Sequence, residues 1–180
     1  MIKDAFLDLV DTIGFEKITV MNLTKKAMIS RTTFYLHYMD KYDLLEQIEN
    51  EILDGVKNIA LDIPFDEIVT EGLSSKKPFS LLLKIYKYIE ENQKIFKLLM
   101  CNNIDSSFYF KFHEAIRVVY NQNIDTNMTK IPENYALALI IGVHTSIINE
   151  WIKTGMKETP EEIVSMIVHL MHDAPKNLYK

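Results

Sequence analysis

The sequence predicts an all-α protein. Its 180 residues include five glycines and five prolines, too few for the frequent turns of an all-β chain. Long segments instead repeat apolar residues at intervals of three and four, the spacing of one helix face. With 48% hydrophobic residues the chain can also bury a core. We expect a three-helix unit over residues 1–45 and a larger helical unit over residues 46–180.

The first helix is predicted over residues 2–13. Ile2, Phe6 and Leu9 recur on one helical stripe. Gly14 follows this stripe, and glycine often ends a helix because it adopts a left-handed backbone without steric cost.

Two short helices are predicted next, joined by a tight turn. Thr19 and Ser30 are each suited to begin a helix, because a hydroxyl oxygen accepts from backbone N–H groups that have no intrahelical partner. Residues 27–29 separate the two helices. This is the spacing of a helix-turn-helix.

The helix that begins at Ser30 carries many polar side chains for its length. We place Phe34, Leu36 and Tyr38 in the core, since so small a unit needs its apolar side chains there. The remaining arc carries an arginine, two threonines, a tyrosine and a histidine: Arg31, Thr32, Thr33, Tyr35 and His37. We expect this arc to contact a partner.

A longer helix is predicted to begin after Asp40, a candidate N-cap, with apolar residues at helical spacing from Leu44 to Ile59. Residues 61–78 contain prolines, serines and a glycine, which indicates a connection. Further helices are predicted over residues 79–91, 93–102, 106–122, 132–153 and 160–172.

Charge is distributed unevenly along the chain. The formal net charge of −5 opposes binding to a phosphate backbone. From residue 17 to residue 41, however, five basic residues face one acidic residue, so this segment carries +4 and the remainder −9. The basic residues are Lys17, Lys25, Lys26, Arg31 and Lys41. This local charge is compatible with nucleic acid.

A short helix with a polar face, held by a preceding helix, fits the major groove of DNA. Arg31 can donate two hydrogen bonds to a guanine, and Thr32 and Thr33 can bond base edges or touch a thymine methyl group. Tyr35 and His37 can reach phosphates. Phosphate contacts are also expected from lysines on the neighbouring helices: Lys25, Lys26 and Lys41. Lys25 and Lys26 can equally form a solvated helix face. A helix-turn-helix is also an ordinary packing unit, so a purely structural role remains an alternative.

Residues 19–45, "TVMNLTKKAMISRTTFYLHYMDKYDLL", resemble the helix-turn-helix of the TetR family of bacterial transcription regulators. The spaced positions of that motif are filled here by Ala27, Ser30, Thr33, Tyr35, His37-Tyr38, Lys41 and Leu44-Leu45. The resemblance implies DNA contacts from Thr19, Arg31, Thr32, Thr33, Tyr35, His37 and Lys41. We also expect Ser30, at the start of the same helix as Arg31, to contact DNA. Two residues depart from the motif, because Met28 and Thr32 stand where glycine is common.

The second half of the chain is also similar to regulators of this family. The segments "YIEENQKIFKLLM" and "WIKTGMKETPEEIV" resemble the C-terminal domain of a subgroup from low-GC Gram-positive bacteria that includes regulators of dihydroxyacetone kinase genes. The resemblance implies a repressor that a small-molecule effector releases from a palindromic operator. It also implies that residues 1–45 bind DNA and that residues 46–180 bind the effector and dimerise.

Two features of the second half suit these roles. The segment from Tyr135 to Val143 is apolar on nearly all sides of its helix. The last helix carries an apolar stripe of Ile163, Met166, Ile167 and Leu170, so we expect a homodimer through these two helices.

Aromatic rings and a histidine are candidate contacts for a largely apolar effector: Tyr86, Phe96, Phe108, Phe112, His144 and Trp151, with Phe79 and Tyr135 nearby. We expect His144 or Trp151 to supply the polar contact. These rings can equally fill the core.

Other chemistry is weakly represented. We expect no metal site and no cofactor, since His169 and His172 lack a third ligand at a known spacing. The alternatives to a regulator are an all-α interaction protein and a small helical enzyme that uses His144 or His113. One cysteine, no signal-peptide pattern and no apolar run long enough to span a bilayer lead us to expect a cytoplasmic protein without a membrane partner.

Overall fold

The computed structural model describes residues 1–61, 80–101, 106–123 and 132–177, and every regular element in these ranges is helical. The N-terminal helices are α1 (Ile2–Ile13), α2 (Val20–Ala27), α3 (Arg31–Tyr35) and α4 (Lys41–Leu61), with a 3₁₀ turn at Phe15–Lys17. The later helices are α5 (Ser80–Glu91), α6 (Gln93–Phe96, continuing as a π-helical turn, Lys97–Cys101), α7 (Ser106–Asn123), α8 (Glu133–Lys153) and α9 (Pro160–Asn177). The predicted all-α class is confirmed.

Helix starts in the N-terminal region follow from side-chain caps. The Thr19 hydroxyl accepts from the Asn22 amide at 3.2 Å, and the Asn22 side chain accepts from the Thr19 amide at 3.1 Å. The Ser30 hydroxyl accepts from the Thr33 amide at 3.0 Å. Asp40 caps α4 by accepting from the amides of Tyr42 and Asp43 at 2.8 and 2.9 Å. All three predicted caps are confirmed, since each satisfies backbone donors at a helix start.

The turn between α2 and α3 ends α2 with a pair of backbone hydrogen bonds. The Met28 amide donates to the Lys25 carbonyl at 3.3 Å, and the Ile29 amide donates to the Thr24 carbonyl at 3.0 Å. Met28 adopts a left-handed conformation, with φ 55° and ψ 42°. This is the Schellman arrangement, in which glycine is common because a side chain strains that backbone.

Helix α4 packs against both halves of the chain. At its N-terminal end the Tyr42 ring lies edge-on to Phe15 at 5.4 Å between centroids. Farther along, the buried Glu49 carboxylate lies 2.7 Å from the Lys111 amine of α7. Gly55 allows the Tyr88 ring of α5 to lie directly against the α4 backbone, in space that a Cβ atom would occupy. The predicted domain boundary at residues 45 and 46 falls inside this continuous helix and stays a prediction.

The C-terminal helices differ from their predicted bounds in two places. The helix predicted over residues 93–102 is α-helical only to Phe96, after which the π-helical turn buries three consecutive side chains: Leu98, Leu99 and Met100. The last helix continues to Asn177 rather than ending at residue 172. Residues 62–79, which contain most of the predicted connection and Phe79, lie outside the described residues.

Helices α8 and α9 are joined by a short turn after Lys153. Gly155, predicted just past a helix end, has φ 87°, and its amide donates to the Ile152 carbonyl at 3.1 Å. Helix α9 packs against α5, where Lys87 and Glu161 form an exposed ion pair at 2.8 Å. No helix in the described ranges is long and apolar enough to cross a bilayer.

Candidate nucleic-acid interface

Helix α3 presents one buried and one exposed face. The Phe34 side chain is fully buried, and Tyr38 packs partly buried against the same core. Backbone hydrogen bonds of helical spacing continue past the end of α3, from Leu36 to Thr32 at 3.1 Å and from Tyr38 to Phe34 at 3.0 Å. The helical register therefore holds through Tyr38.

The predicted DNA-contacting residues lie mainly on the surface. Eight of them are exposed: Thr19, Lys25, Ser30, Arg31, Thr32, Thr33, Tyr35 and His37. Three of these side chains also hold the local fold, because Thr19 and Ser30 cap helices and the Thr33 hydroxyl lies 2.8 Å from that of Ser30. Arg31 and Thr32 are thus the exposed polar residues at the start of α3 whose side chains are best suited to base edges.

Lys41 is held differently from the expectation. Its half-buried amine donates to the carbonyls of Phe15 at 3.0 Å and Glu16 at 3.1 Å. It also lies 4.6 Å from the centre of the Phe15 ring. The side chain therefore ties the start of α4 to the preceding 3₁₀ turn. An ammonium group has a third N–H, so a phosphate contact from Lys41 stays a prediction.

The two lysines of α2 occupy different surroundings. Lys26 lies 3.4 Å from the carboxylate of Asp8 on α1, so its charge is partly offset within the fold. Lys25 is exposed on the same helix. Of the two, Lys25 is the better candidate for a phosphate contact.

The expectation that Leu36 belongs to the core is wrong. Its side chain is 76% exposed, whereas that of Phe34 is buried completely. Rotation of about 100° per residue turns Leu36 away from Phe34 and Tyr38 once those two residues define the inner face. This periodicity was available in the sequence, but the apolar character of leucine outweighed it in the prediction.

The predicted effector-binding residues fall into two buried groups. In the first, the Tyr86 hydroxyl shares a hydrogen bond of 3.1 Å with Nδ1 of His144, and the Tyr86 and Trp151 rings lie 5.8 Å apart. Burial lowers the pKa of His144 to about 4 and raises the pKa of Tyr86, so both groups are neutral at pH 7. The indole N–H of Trp151 donates to the Glu158 carbonyl at 2.9 Å.

The second group consists of three phenylalanines. Phe96 and Phe112 lie edge to face at 6.0 Å between centroids, and Phe108 and Phe112 stack at 5.9 Å. All three side chains are at most 1% exposed. Since the polar atom of Trp151 is already bonded to backbone, His144 is the remaining candidate for a polar effector contact.

Two other predictions concern His113 and a metal site. The His113 ring lies 4.9 Å from that of Tyr109 on α7, and burial lowers the pKa of His113. Within the described residues, no three His, Cys, Asp or Glu side chains are grouped so as to hold a metal ion.

One apolar stripe expected on the last helix is divided between two faces. Ile163 and Ile167 are buried within the chain, at 3% and 0% exposed, whereas Met166 and Leu170 are 44% and 42% exposed. On α8, Tyr135 and Leu139 are exposed by 67% and 61%. These exposed residues form apolar surface on the two helices where a dimer interface is predicted.

Sequence comparison finds relatives that are regulators. Residues 76–173 match the family TetR_C_8, described as "Transcriptional regulator C-terminal region". The uncharacterized HTH-type transcriptional regulator YxbF of Bacillus subtilis is 24% identical over 94% of this chain, which spans 43% of the length of YxbF. The HTH-type dhaKLM operon transcriptional activator DhaS of Lactococcus lactis is 23% identical over 95% of this chain and 87% of its own.

Structure comparison finds the same architecture in two bacterial proteins. The TetR family transcriptional regulator PfmR from Thermus thermophilus has a TM-score of 0.63 and 19% identity. The fatty acid degradation regulator FadR from Bacillus halodurans has a TM-score of 0.61 and 15% identity. Each comparison covers 94% of this chain and 92% of the other.

Proposed function

Because the chain belongs to the TetR family of transcriptional regulators, whose members bind DNA and act as dimers, we propose that it represses genes by binding a palindromic operator as a homodimer. Binding to chromosomal DNA requires a cytoplasmic protein.

Helix α3 carries the proposed operator contacts, and its exposed polar face is the observation on which the proposal rests. Arg31 and Thr32 are exposed at its first turn, next to a helix that bears the exposed Lys25. The local charge of +4 between residues 17 and 41 attracts phosphate although the whole chain is acidic. We assign base contacts to Arg31 and Thr32 and phosphate contacts to Lys25, Tyr35 and His37.

The proposed dimer uses the exposed apolar residues of α8 and α9. Tyr135, Leu139, Met166 and Leu170 are candidates for the contact. A two-fold axis through these helices would present two copies of α3 to DNA, and a palindromic site with half-sites about one helical turn apart matches that symmetry.

We favour repression over activation because a repressor needs fewer functional surfaces than an activator does. A repressor needs only to occupy a site that overlaps a promoter, whereas an activator needs in addition a surface that contacts the transcription machinery. The relative DhaS is named an activator. A promoter fusion is therefore needed to show whether this chain represses or activates transcription. We expect reporter expression to rise when the gene is deleted, and a fall would assign activation.

The operator assignment is tested on duplexes selected from a randomised library by the full-length chain. Arg31→Ala should relax the base preference at one position of each half-site by about 1–3 kcal/mol. Lys25→Ala should weaken all duplexes alike and lower the slope of log affinity against log salt by about 1. Lys41 is less suitable for this test, because its substitution also breaks two bonds to backbone carbonyls.

Lys57, a lysine on α4 whose side chain is 39% exposed and pairs with Asp54 at 3.2 Å, supplies the matched control. Lys57→Ala should leave both base preference and salt slope unchanged. If the library yields no enriched sequence, or if Arg31→Ala and Lys25→Ala bind it as the parent does, the recognition-helix assignment is wrong.

We also propose that a small, largely apolar effector binds among the two buried groups of side chains. These are Tyr86, Phe96, Phe108, Phe112, His144 and Trp151. Because they are at most 8% exposed, the effector must enter a conformation in which the surrounding helices have separated. Such a ligand would shift the dimer between conformations, and a coupling of about 1–3 kcal/mol is enough for a switch.

Titration of apolar metabolites against the complex of chain and operator tests this step. At least one compound should weaken operator binding about 10-fold or more, which corresponds to about 1.4 kcal/mol of coupling. His144→Asn should reduce the response to that compound, while operator affinity without effector stays the same. If no compound releases DNA, the chain is a constitutive binder.

A further inference from the structure

We propose that Leu36 contacts the methyl group of a thymine in the major groove and thereby selects thymine at one position of each operator half-site. This contact rests on the operator binding proposed above. It adds an apolar base contact to the polar base contacts assigned to Arg31 and Thr32. The fold leaves the apolar side chain of Leu36 76% exposed to solvent.

The placement of Leu36 follows from the inner face of α3. Phe34 and Tyr38 point into the core, and a rotation of about 100° per residue puts Leu36 roughly opposite the midpoint between them. The Leu36 amide donates to the Thr32 carbonyl at 3.1 Å, so the two residues lie one turn apart on the same face. Leu36 is therefore central on the outward face, with Thr32 beside it.

The surroundings of Leu36 indicate DNA rather than a protein partner. Thr32 is exposed one turn before it, Arg31 is exposed at the start of the same helix, and the exposed Lys25 lies on the helix that packs against α3. A cationic surface of this kind complements phosphate. When Lys25 contacts a phosphate and Arg31 a base edge, an apolar side chain on the outward face of α3 would also face the base edges.

The chemistry of the groove narrows the contact to one base. Guanine, cytosine and adenine present hydrogen-bond donors and acceptors in the major groove, and thymine alone adds a methyl group. Leucine has no hydrogen-bonding atom, so opposite the other bases it would bury their polar groups without a partner. A thymine methyl group instead removes apolar surface of both partners from water.

Deoxyuridine substitution tests the contact, since deoxyuridine differs from thymidine only by that methyl group. On the duplex selected by the full-length chain, each thymine is replaced singly and then together with its symmetry mate. At one position we expect about fourfold weaker binding per half-site, the effect of about one buried methyl-sized group. With Leu36→Ala the thymine and deoxyuridine duplexes should bind equally.

Two further variants make the assignment specific. Met39→Ala removes an apolar side chain that is 79% exposed just after α3, and this variant should keep the deoxyuridine penalty. Leu36→Gln should enrich adenine at the same position in a new selection, because glutamine can bond adenine through two atoms. Helical content and thermal midpoint of Leu36→Ala should match the parent, as expected for an exposed residue.

The outcomes separate this inference from the proposed function. A selected operator without a deoxyuridine penalty overturns the Leu36 contact and leaves operator binding intact. A penalty that persists in Leu36→Ala also overturns it and assigns the methyl contact to another residue. Absence of any enriched sequence overturns operator binding and the Leu36 contact together.

Discussion

Met28 shows how one residue can strain the turn that positions α3. It holds a left-handed backbone at the end of α2, where a side chain raises the free energy by about 1–2 kcal/mol. Its side chain is 89% exposed, so little packing offsets that cost. The strain therefore lies in the turn that sets α3 against α2.

We expect Met28→Gly to stabilise the chain by roughly 0.5–1 kcal/mol, because relief of the strain exceeds the extra backbone entropy that glycine loses on folding. Urea denaturation with an unchanged slope would measure this gain. The matched control is Met21→Gly, an exposed methionine inside α2, which should destabilise by about 0.5–1 kcal/mol. If both variants destabilise equally, the left-handed residue carries no significant strain.

His144 is a buried base whose surroundings keep it neutral. Nδ1 is 3.1 Å from the Tyr86 hydroxyl, and burial lowers the pKa of His144 from 6.5 to about 4. The unfolded chain thus gains a proton on this residue at a higher pH than the folded chain does. Stability from neutral His144 is fully present above pH 6.5 and falls as the pH drops toward 4.

Between pH 7.5 and pH 5 we expect the free energy of unfolding of the parent to fall by about 2 kcal/mol more than that of His144→Asn. Asparagine keeps a polar atom near the position of Nδ1 but does not titrate. Denaturant unfolding at both pH values gives the difference. Equal losses in the two proteins would place the acid sensitivity on other groups, such as His113, whose pKa burial also lowers.

At the scale of elements, α4 is the helix that joins the candidate DNA-binding helices to the rest of the chain. Its 21 residues extend for about 30 Å. Near its start the Gln47 side chain donates to the His37 carbonyl at 3.2 Å, just beyond α3. Farther along, Glu49 pairs with Lys111 of α7. Helix α4 therefore contacts both the segment just after α3 and helix α7.

We expect Lys111→Met to destabilise the chain by about 2 kcal/mol, because it removes a cation 2.7 Å from a buried carboxylate. The value is below the usual cost of breaking a fully buried pair, since the Lys111 side chain is 32% exposed. Lys57→Met, which removes an exposed pair on the same helix, should cost less than about 0.5 kcal/mol.

Adding Glu49→Gln to Lys111→Met should recover part of the loss, and the double-mutant cycle measures the coupling between the two residues. The interpretation fails if Lys111→Met costs no more than Lys57→Met. In that case the pair contributes no more to stability than a surface ion pair does.

At the scale of the whole molecule, apolar surface remains on α8 and α9 after the chain has folded. Leu139 is 61% exposed and Met166 is 44% exposed, although both helices bury their opposite faces. A second copy of the chain is the proposed partner, because a two-fold axis through these helices also supplies the symmetry that a palindromic operator requires.

We expect Leu139→Glu to weaken dimerisation by roughly 2–4 kcal/mol, about 30- to 1,000-fold, because the two-fold axis introduces the charge twice. Sedimentation at micromolar concentration should then detect monomer, and operator affinity should fall with it. Phe110→Glu, which changes a residue 70% exposed on α7, should leave the dimer intact. A parent chain that sediments as a monomer would exclude this interface.

Features that depend on contacts within a few residues could be predicted from the sequence. Thr19, Ser30 and Asp40 could be placed at helix starts because each accepts from amides two or three residues later. Gly155 could be placed past a helix end for a similar local reason. The helix-turn-helix and its resemblance to a regulator family followed from this local pattern, as did the all-α class.

The pairing of side chains that are distant in sequence depends on how the helices pack, and it could not be predicted. The Lys41 amine turns to the Phe15 carbonyl 26 residues away, Tyr86 meets His144 58 residues later, and Glu49 meets Lys111 62 residues later. Such pairings depend on how helices pack, and packing joins residues whose separation along the chain carries no periodic signal.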